Sequence, residues 1–238
     1  MKVVFNAKTL TALAAALFIS IGPAQSALLI EANFDVDPNV EDAGWTHSGA
    51  WNSEASLAGG IASYDTIDTD ANVSIIAHGQ LTGQSAVARM RVLADDGFNG
   101  GGSSMNYILN DYFFTVGIVS DNVFHPASVN AISFGALHAS SPLDTSQFHN
   151  IGLNITDLST GKFDIYVDGV LVLANNQAPT CCTGCCNGQF QFGDNEGQAD
   201  ANTELDWIKV FDHQIPEPAT LGLLGLGGLL LALRRRMS

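Results

Sequence analysis

The central part of this chain has almost no basic charge. Between residues 27 and 214 the only lysines and arginines are Arg89, Arg91, Lys162 and Lys209, against 23 acidic side chains, which leaves the stretch at −19. A surface of that sign repels phosphate backbones, so nucleic acid is excluded as a partner. Cysteine is confined to "TCCTGCC", where Cys181, Cys182, Cys185 and Cys186 stand together. Local disulfides there would close short loops and add little stability. Sustained helical periodicity is absent from the same stretch. So are the Gly-x-Ser-x-Gly and His-Glu-x-x-His motifs. The six histidines, His47, His78, His125, His138, His149 and His213, are scattered. The apolar run Ala219–Leu233 has only 15 residues. As a helix it would reach about 22 Å, short of the roughly 30 Å hydrocarbon core.

What is present begins with the two ends. Lys2 and Lys8 lead into "LTALAAALFISIG", followed by the small residues Ala24 and Ser26. Charged, apolar and small-residue zones in that order read as a signal peptide, residues 1–26, cleaved after Ser26. Export places the four cysteines in an oxidising compartment, where two local disulfides are expected and three pairings are open. At the other end stand Pro216-Glu217-Pro218, then the Leu/Gly run, then Arg234, Arg235 and Arg236. The arginines favour the cytoplasmic side, so the central stretch lies outside. This three-part pattern over residues 215–238 resembles the PEP-CTERM sorting domain. The resemblance implies a Gram-negative bacterium whose exosortase removes the tail. It also implies a transient inner-membrane anchor, then the cell surface or an exopolysaccharide and biofilm matrix.

The stretch from 27 to 214 reads as all-β. Short alternating or apolar runs are separated by Gly, Asn, Asp and Pro: "LLIEANF", "GIASYDT", "NVSIIAHG", "AVARMRVLA", "YFFTVGIV", "AISFGAL", "HNIGLNIT", "KFDIYVD", "VLVLAN", "GQFQFGD" and "ELDWIKVF". Eleven such runs predict an antiparallel two-sheet β-sandwich. Asp168-Gly169 sits between two of them as a type I′ hairpin requires. Phe163, Ile165 and Val167 should then share one face, with Asp164 and Tyr166 on the other. "FHNIGLNITDLSTGKFDIYVDGVLV", "QFQFGDNEG" and "ELDWIKVF" occur in an order that resembles the concanavalin A-like family, especially its laminin-G-like members. The resemblance implies a jelly roll with glycan bound on its concave face, and the family also holds structural members.

Related laminarinase-type hydrolases carry Glu-x-Asp-x-x-Glu. Here Glu204 and Asp206 start that pattern, and Lys209 stands where the second glutamate belongs. No catalytic residue is assigned, and the expected activity is binding without chemistry. The rival expectations are a structural matrix protein and a hydrolase or lyase with an unrecognised site. Arg89, Arg91 and Tyr166 are the candidate ligand residues, two cations on one strand face being able to hold acidic sugars. Internal ion pairs are the competing reading of those arginines. Trp45 and Trp51 are core or sugar-stacking residues. Asp206 alternates with Ile208 and Val210, which would turn it toward the core, where a carboxylate needs a partner or a metal. Glu31 is its expected companion around a structural calcium. "DNEGQADANTE", with Asp194, Glu196, Asp200, Asn202 and Glu204, reads as a calcium loop or, preferably, a solvated acidic one.

Overall fold

The computed structural model describes residues 26–212, apart from 36, 38–43, 68, 70–71, 78–80, 82, 97–101, 134–135, 181–187 and 195–199. Ala27–Ile215 forms one compact unit, distinct from Met1–Ser26 with Pro216–Ser238. The cysteines, the signal peptide, the Pro-Glu-Pro element and the arginine cluster therefore lie outside the described residues.

Two antiparallel sheets form the sandwich. The eight-stranded sheet runs β13 (Val170–Gln177), β12 (Lys162–Val167), β11 (His149–Asp157), β6 (Ser85–Asp95), β15 (Ala201–Phe211), β4 (Ile61–Asp65) and β3 (Ala55–Ala58). Its eighth strand, β1 (Leu28–Ala32), shares one side of β15 with β4: β4 pairs with residues 202–205 and β1 with residues 208–211. The seven-stranded sheet runs β10 (Ala136–Pro142), β9 (Ser128–Ser133), β8 (Tyr112–Val119), β7 (Ser103–Leu109), β14 (Gln189–Asp194), β5 (Val73–Ala77) and β2 (Trp45–Gly49). One helical turn, α1 (Trp51–Glu54), follows β2.

Alternation puts one face of each strand into the core. Phe163, Ile165 and Val167 of β12 are buried as expected, and Phe114 of β8 meets Phe163 edge-on at 5.7 Å across the sandwich. Phe190 lies edge-on to both Trp45 and Tyr107. Trp45 and Trp51 are 1 % and 3 % exposed, so both are core residues. Removing a ring such as Phe163 would cost about 3–5 kcal/mol. A polar seam also crosses between the sheets. Tyr64 Oη sits 2.8 Å from Ser103 Oγ, and Ser103 in turn meets Thr203. The same end holds Asp194, fully buried, which accepts a 2.6 Å hydrogen bond from Thr66 Oγ1.

The hairpin at Asp168-Gly169 has φ of +50° and +78°, as a type I′ turn requires. A second such turn, Asn110-Asp111 (φ +51° and +62°), joins β7 to β8 without any glycine. Ten of the eleven expected strands form. "AISFGAL" straddles the end of β9 and the start of β10, and β2, β3 and β7 are additional.

Candidate functional site

On the outer face of the eight-stranded sheet, β6 projects Arg89 and Arg91 toward β15. Arg89 Nε donates to Asp206 Oδ2 at 2.8 Å, and Arg91 Nη2 stands 2.7 Å from Glu204 Oε2. Both guanidiniums also lie over the Phe148 ring, at 5.5 and 4.8 Å. The arginines are thus internal ion-pair partners, and their charge is committed to β15. Tyr166 lies on the same face, opposite Gly152 of β11.

Asp206 does not face the core. The register shifts between Leu205, which opposes Met90, and Trp207, which opposes Arg89. One extra residue in a strand changes the phase of its side chains. Ala201, Thr203 and Leu205 are core-facing before the bulge, and Ile208 and Val210 after it. Counting back from Ile208 therefore misplaces Asp206. Glu31, its expected calcium companion, is paired instead with Lys209 Nζ at 3.0 Å. The acidic stretch is not a solvated loop at its two described ends, since Asp194 and Asp200 are 0 % and 5 % exposed. Among the described residues, no group of three or more His, Cys, Asp or Glu is placed to hold a metal ion.

Of the histidines, His47 stacks on Trp51 at 5.0 Å. His149 lies between Asp168 Oδ2, at 2.7 Å from Nδ1, and the Asp144 carbonyl, at 3.0 Å from Nε2. Burial pushes the Asp168 carboxyl up, but the Asn150 amide, the His149 hydrogen bond and the charges of His149 and Arg89 together hold it below its ordinary value.

The outer face of the seven-stranded sheet is different in kind. Its registers align one row from Thr46 through Ile76, Gln191, Asn106 and Thr115 to Ile132. A second row runs through Ser74, Gly193, Ser104, Gly117 and Asn130 to Ser140. Outward residues of a sandwich are usually charged and wet. Here they are short and neutral, and most are buried: Ser74 1 %, Asn106 4 %, Thr115 6 % and Asn130 0 % exposed. The two rows thus form a largely buried, uncharged surface. Within it Gln191 Nε2 donates to Ser74 Oγ at 3.1 Å, and Asn106 Nδ2 to Ser104 Oγ at 3.1 Å. Gly193 makes the second row flat: at φ +144°, a Cβ there would lie 2.1 Å from the Val73 carbonyl.

Asn106 and Thr115 are direct cross-strand neighbours. Asn106 Oδ1 and Thr115 Oγ1 are buried and have no hydrogen-bond partner among the described residues. An unsatisfied buried polar atom costs about 1–3 kcal/mol, so such a pair calls for a ligand or ordered water. The sequence did carry a trace of this face: "SSMNYIL", "FFTVGIV" and "QFQFGD" alternate apolar residues with Ser, Asn, Thr, Gln and Gly and never with Lys or Glu.

The sequence matches the PEP-CTERM protein-sorting motif over residues 214–236. A comparison with curated proteins finds no match. The fold is that of the concanavalin A-like jelly rolls. Similar structures include a carbohydrate esterase, vb_24B_21, from the Shiga toxin-encoding bacteriophage phi24B. It is 10 % identical with TM-score 0.56, covering 79 % of this chain and 100 % of that one. The Bacillus licheniformis β-glucanase is 11 % identical with TM-score 0.50, covering 79 % and 99 %. Domain 4 of the Geobacillus stearothermophilus extracellular arabinanase AbnA, solved with arabinotriose, is 13 % identical with TM-score 0.50, covering 81 % and 96 %. At these identities the likeness is one of fold. The sorting motif marks the chain as an exported protein sorted to the cell surface.

Proposed function

We propose that this exosortase-sorted protein binds a neutral glycan or exopolysaccharide on the outer face of its seven-stranded sheet, without cleaving it, at the cell surface or in the surrounding matrix. The observation that carries this reading is the adjacent pair Asn106 Oδ1 and Thr115 Oγ1, buried on an outer face and unpartnered among the described residues. Hydroxyl groups of a sugar are donors of the right size for such acceptors. The two flat rows, with Gly193 and Gly117 opposite one another's neighbours, let a chain lie across several strands.

Two features favour a neutral ligand. The described residues on both rows are uncharged, and the exported stretch carries −19, so a polyanionic polysaccharide would be repelled. One feature favours binding over hydrolysis. Glycosidases need two carboxyl groups roughly 5–9.5 Å apart around the bond, and the described residues of this face include none. Glu204 and Asp206 lie on the opposite sheet, engaged by Arg91 and Arg89.

The test is a panel of neutral and acidic polysaccharides against purified residues 27–214, with and without calcium. The expected result is saturable binding to a neutral class, weakened by Asn106→Ala and unchanged by Arg89→Gln. Release of reducing ends would overturn the non-catalytic reading. Folded protein with no binding to any member would leave a structural matrix protein as the better account.

A further inference from the structure

Ala27 is the first residue after the expected signal-peptide cut, and it is held at both of its backbone groups by a single partner. Its N–H donates to Asp212 Oδ1 at 2.7 Å, and its carbonyl accepts from the Asp212 N–H at 3.0 Å. Leu28 and Phe211 follow as the first rung of the β1–β15 ladder. This end of the ladder is tightly packed. A Cβ on Gly83 would lie 2.3 Å from the Phe211 carbonyl and 2.9 Å from Leu29 Cδ1, and Gln84 N–H donates to that same carbonyl.

We infer that signal-peptide removal creates an ion pair at this point: the new α-ammonium of Ala27 is received by the Asp212 carboxylate, which locks β1 onto β15 in the mature protein only. Before the cut, position 27 is a neutral amide with one proton to donate. Hydrolysis of the Ser26–Ala27 bond adds water across it, leaving a carboxylate on Ser26 and an ammonium on Ala27. The oxygen already 2.7 Å from that nitrogen then accepts a charge-assisted hydrogen bond, about twice as strong as a neutral one. The product is a fifth cation in a stretch that otherwise has four. Asp212 lies two residues ahead of the sorting motif, which begins at 214. The strand that receives the new N-terminus is therefore the one from which the tail departs.

The inference rests on the exported part of the functional reading and is independent of any glycan. Its sign with pH is fixed. The pair exists only while the α-amine is protonated and Asp212 is ionised, so the added stability is present from above the ordinary aspartate range up to about pH 8 and lost as pH rises beyond it. The nearby charged pair, Glu31 on β1 with Lys209 on β15, lies along the same ladder. Across from Phe211, β6 presents the uncharged Ser85.

The first measurement is the N-terminus of the exported protein by intact mass. Ala27 as first residue is required, and any other cut site overturns the inference. The second compares that protein with one carrying Gly-Ser ahead of Ala27, each with and without Asp212→Asn. The expected result is a melting temperature about 2–4 °C higher for the Ala27-first form, a difference abolished by Asp212→Asn and fading between pH 7 and 10. Equal melting temperatures for the Ala27-first and extended forms at pH 7, with both folded, would overturn the lock while leaving export intact.

Discussion

The Thr115→Val substitution removes one hydroxyl and adds one methyl at a position 6 % exposed on the outer face of the seven-stranded sheet. Thr115 Oγ1 has no hydrogen-bond partner among the described residues, and its cross-strand neighbours are Asn106 and Ile132. Leaving a hydroxyl buried and unsatisfied costs about 1–3 kcal/mol. A buried methyl group beside Ile132 adds roughly 0.8 kcal/mol of stabilisation. Ordered water would satisfy part of the hydroxyl's demand, so the expected net gain is about 1–2 kcal/mol. For a domain of this size that raises the melting temperature by about 2–8 °C. The same change deletes one acceptor for ligand, which should weaken glycan binding about five- to tenfold. Urea unfolding and calorimetric titration of the two proteins read both quantities. Natural folds retain such a trade where function needs the unsatisfied group. A loss of stability with an unchanged urea slope would show that the hydroxyl is satisfied within the fold, and this face would lose its claim to be a prepared site.

Three further outcomes follow from the geometry. Arg89→Gln or Arg91→Gln should each lower stability by at most about 1 kcal/mol, because the ion pairs and the stacking on Phe148 are half-exposed and screened; high salt should shrink the difference. Gly193→Ala should cost more than about 3 kcal/mol or prevent folding, since φ is +144° and the added Cβ would lie 2.1 Å from the Val73 carbonyl; thermal unfolding or soluble yield reads this. Asp157 accepts hydrogen bonds from Thr160 Oγ1 at 2.6 Å and Ser159 Oγ at 2.7 Å, and these hold its carboxyl at about 2. Its contribution to stability is therefore complete above the ordinary aspartate range and is lost as pH falls toward 2. NMR titration of the side chain should show this depression, and Ser159→Ala with Thr160→Ala should relieve it.

Most of the fold was legible because its strands announce themselves twice, by period-two alternation and by turn chemistry. Asp168-Gly169 is a case where both agree. β7 was missed because "SSMNYIL" has Ser103 on the core side and polar residues outside, so its alternation is blurred; Ser103 is tolerated there only because Tyr64 and Thr203 meet it. The adjoining Asn110-Asp111 turn lacks the glycine that usually signals a hairpin, and Asn and Asp reach positive φ through their own short side chains. Asp206 was misplaced for a third reason. A bulge leaves no mark in one strand's composition, since it is decided by how that strand pairs with β6.

The site was harder to read than the fold because its signal is an absence. Charge draws the eye to Arg89, Arg91, Glu204 and Asp206, yet these pair with one another on the eight-stranded sheet. Apart from Ile76 and Ile132, the two rows are serine, threonine, asparagine, glutamine and glycine, residues that in sequence look like filler between apolar neighbours. Only the register turns them into two continuous rows, and only burial distinguishes them from an ordinary wet face. In so acidic a protein, an outer face whose described rows carry no charge is the departure from composition that calls for an explanation. Ligand binding supplies one. Introducing a single carboxylate at the exposed end of the second row, by Ser140→Asp, should leave the fold intact while weakening glycan binding. Retention of full affinity in that variant would place the ligand elsewhere on the sandwich.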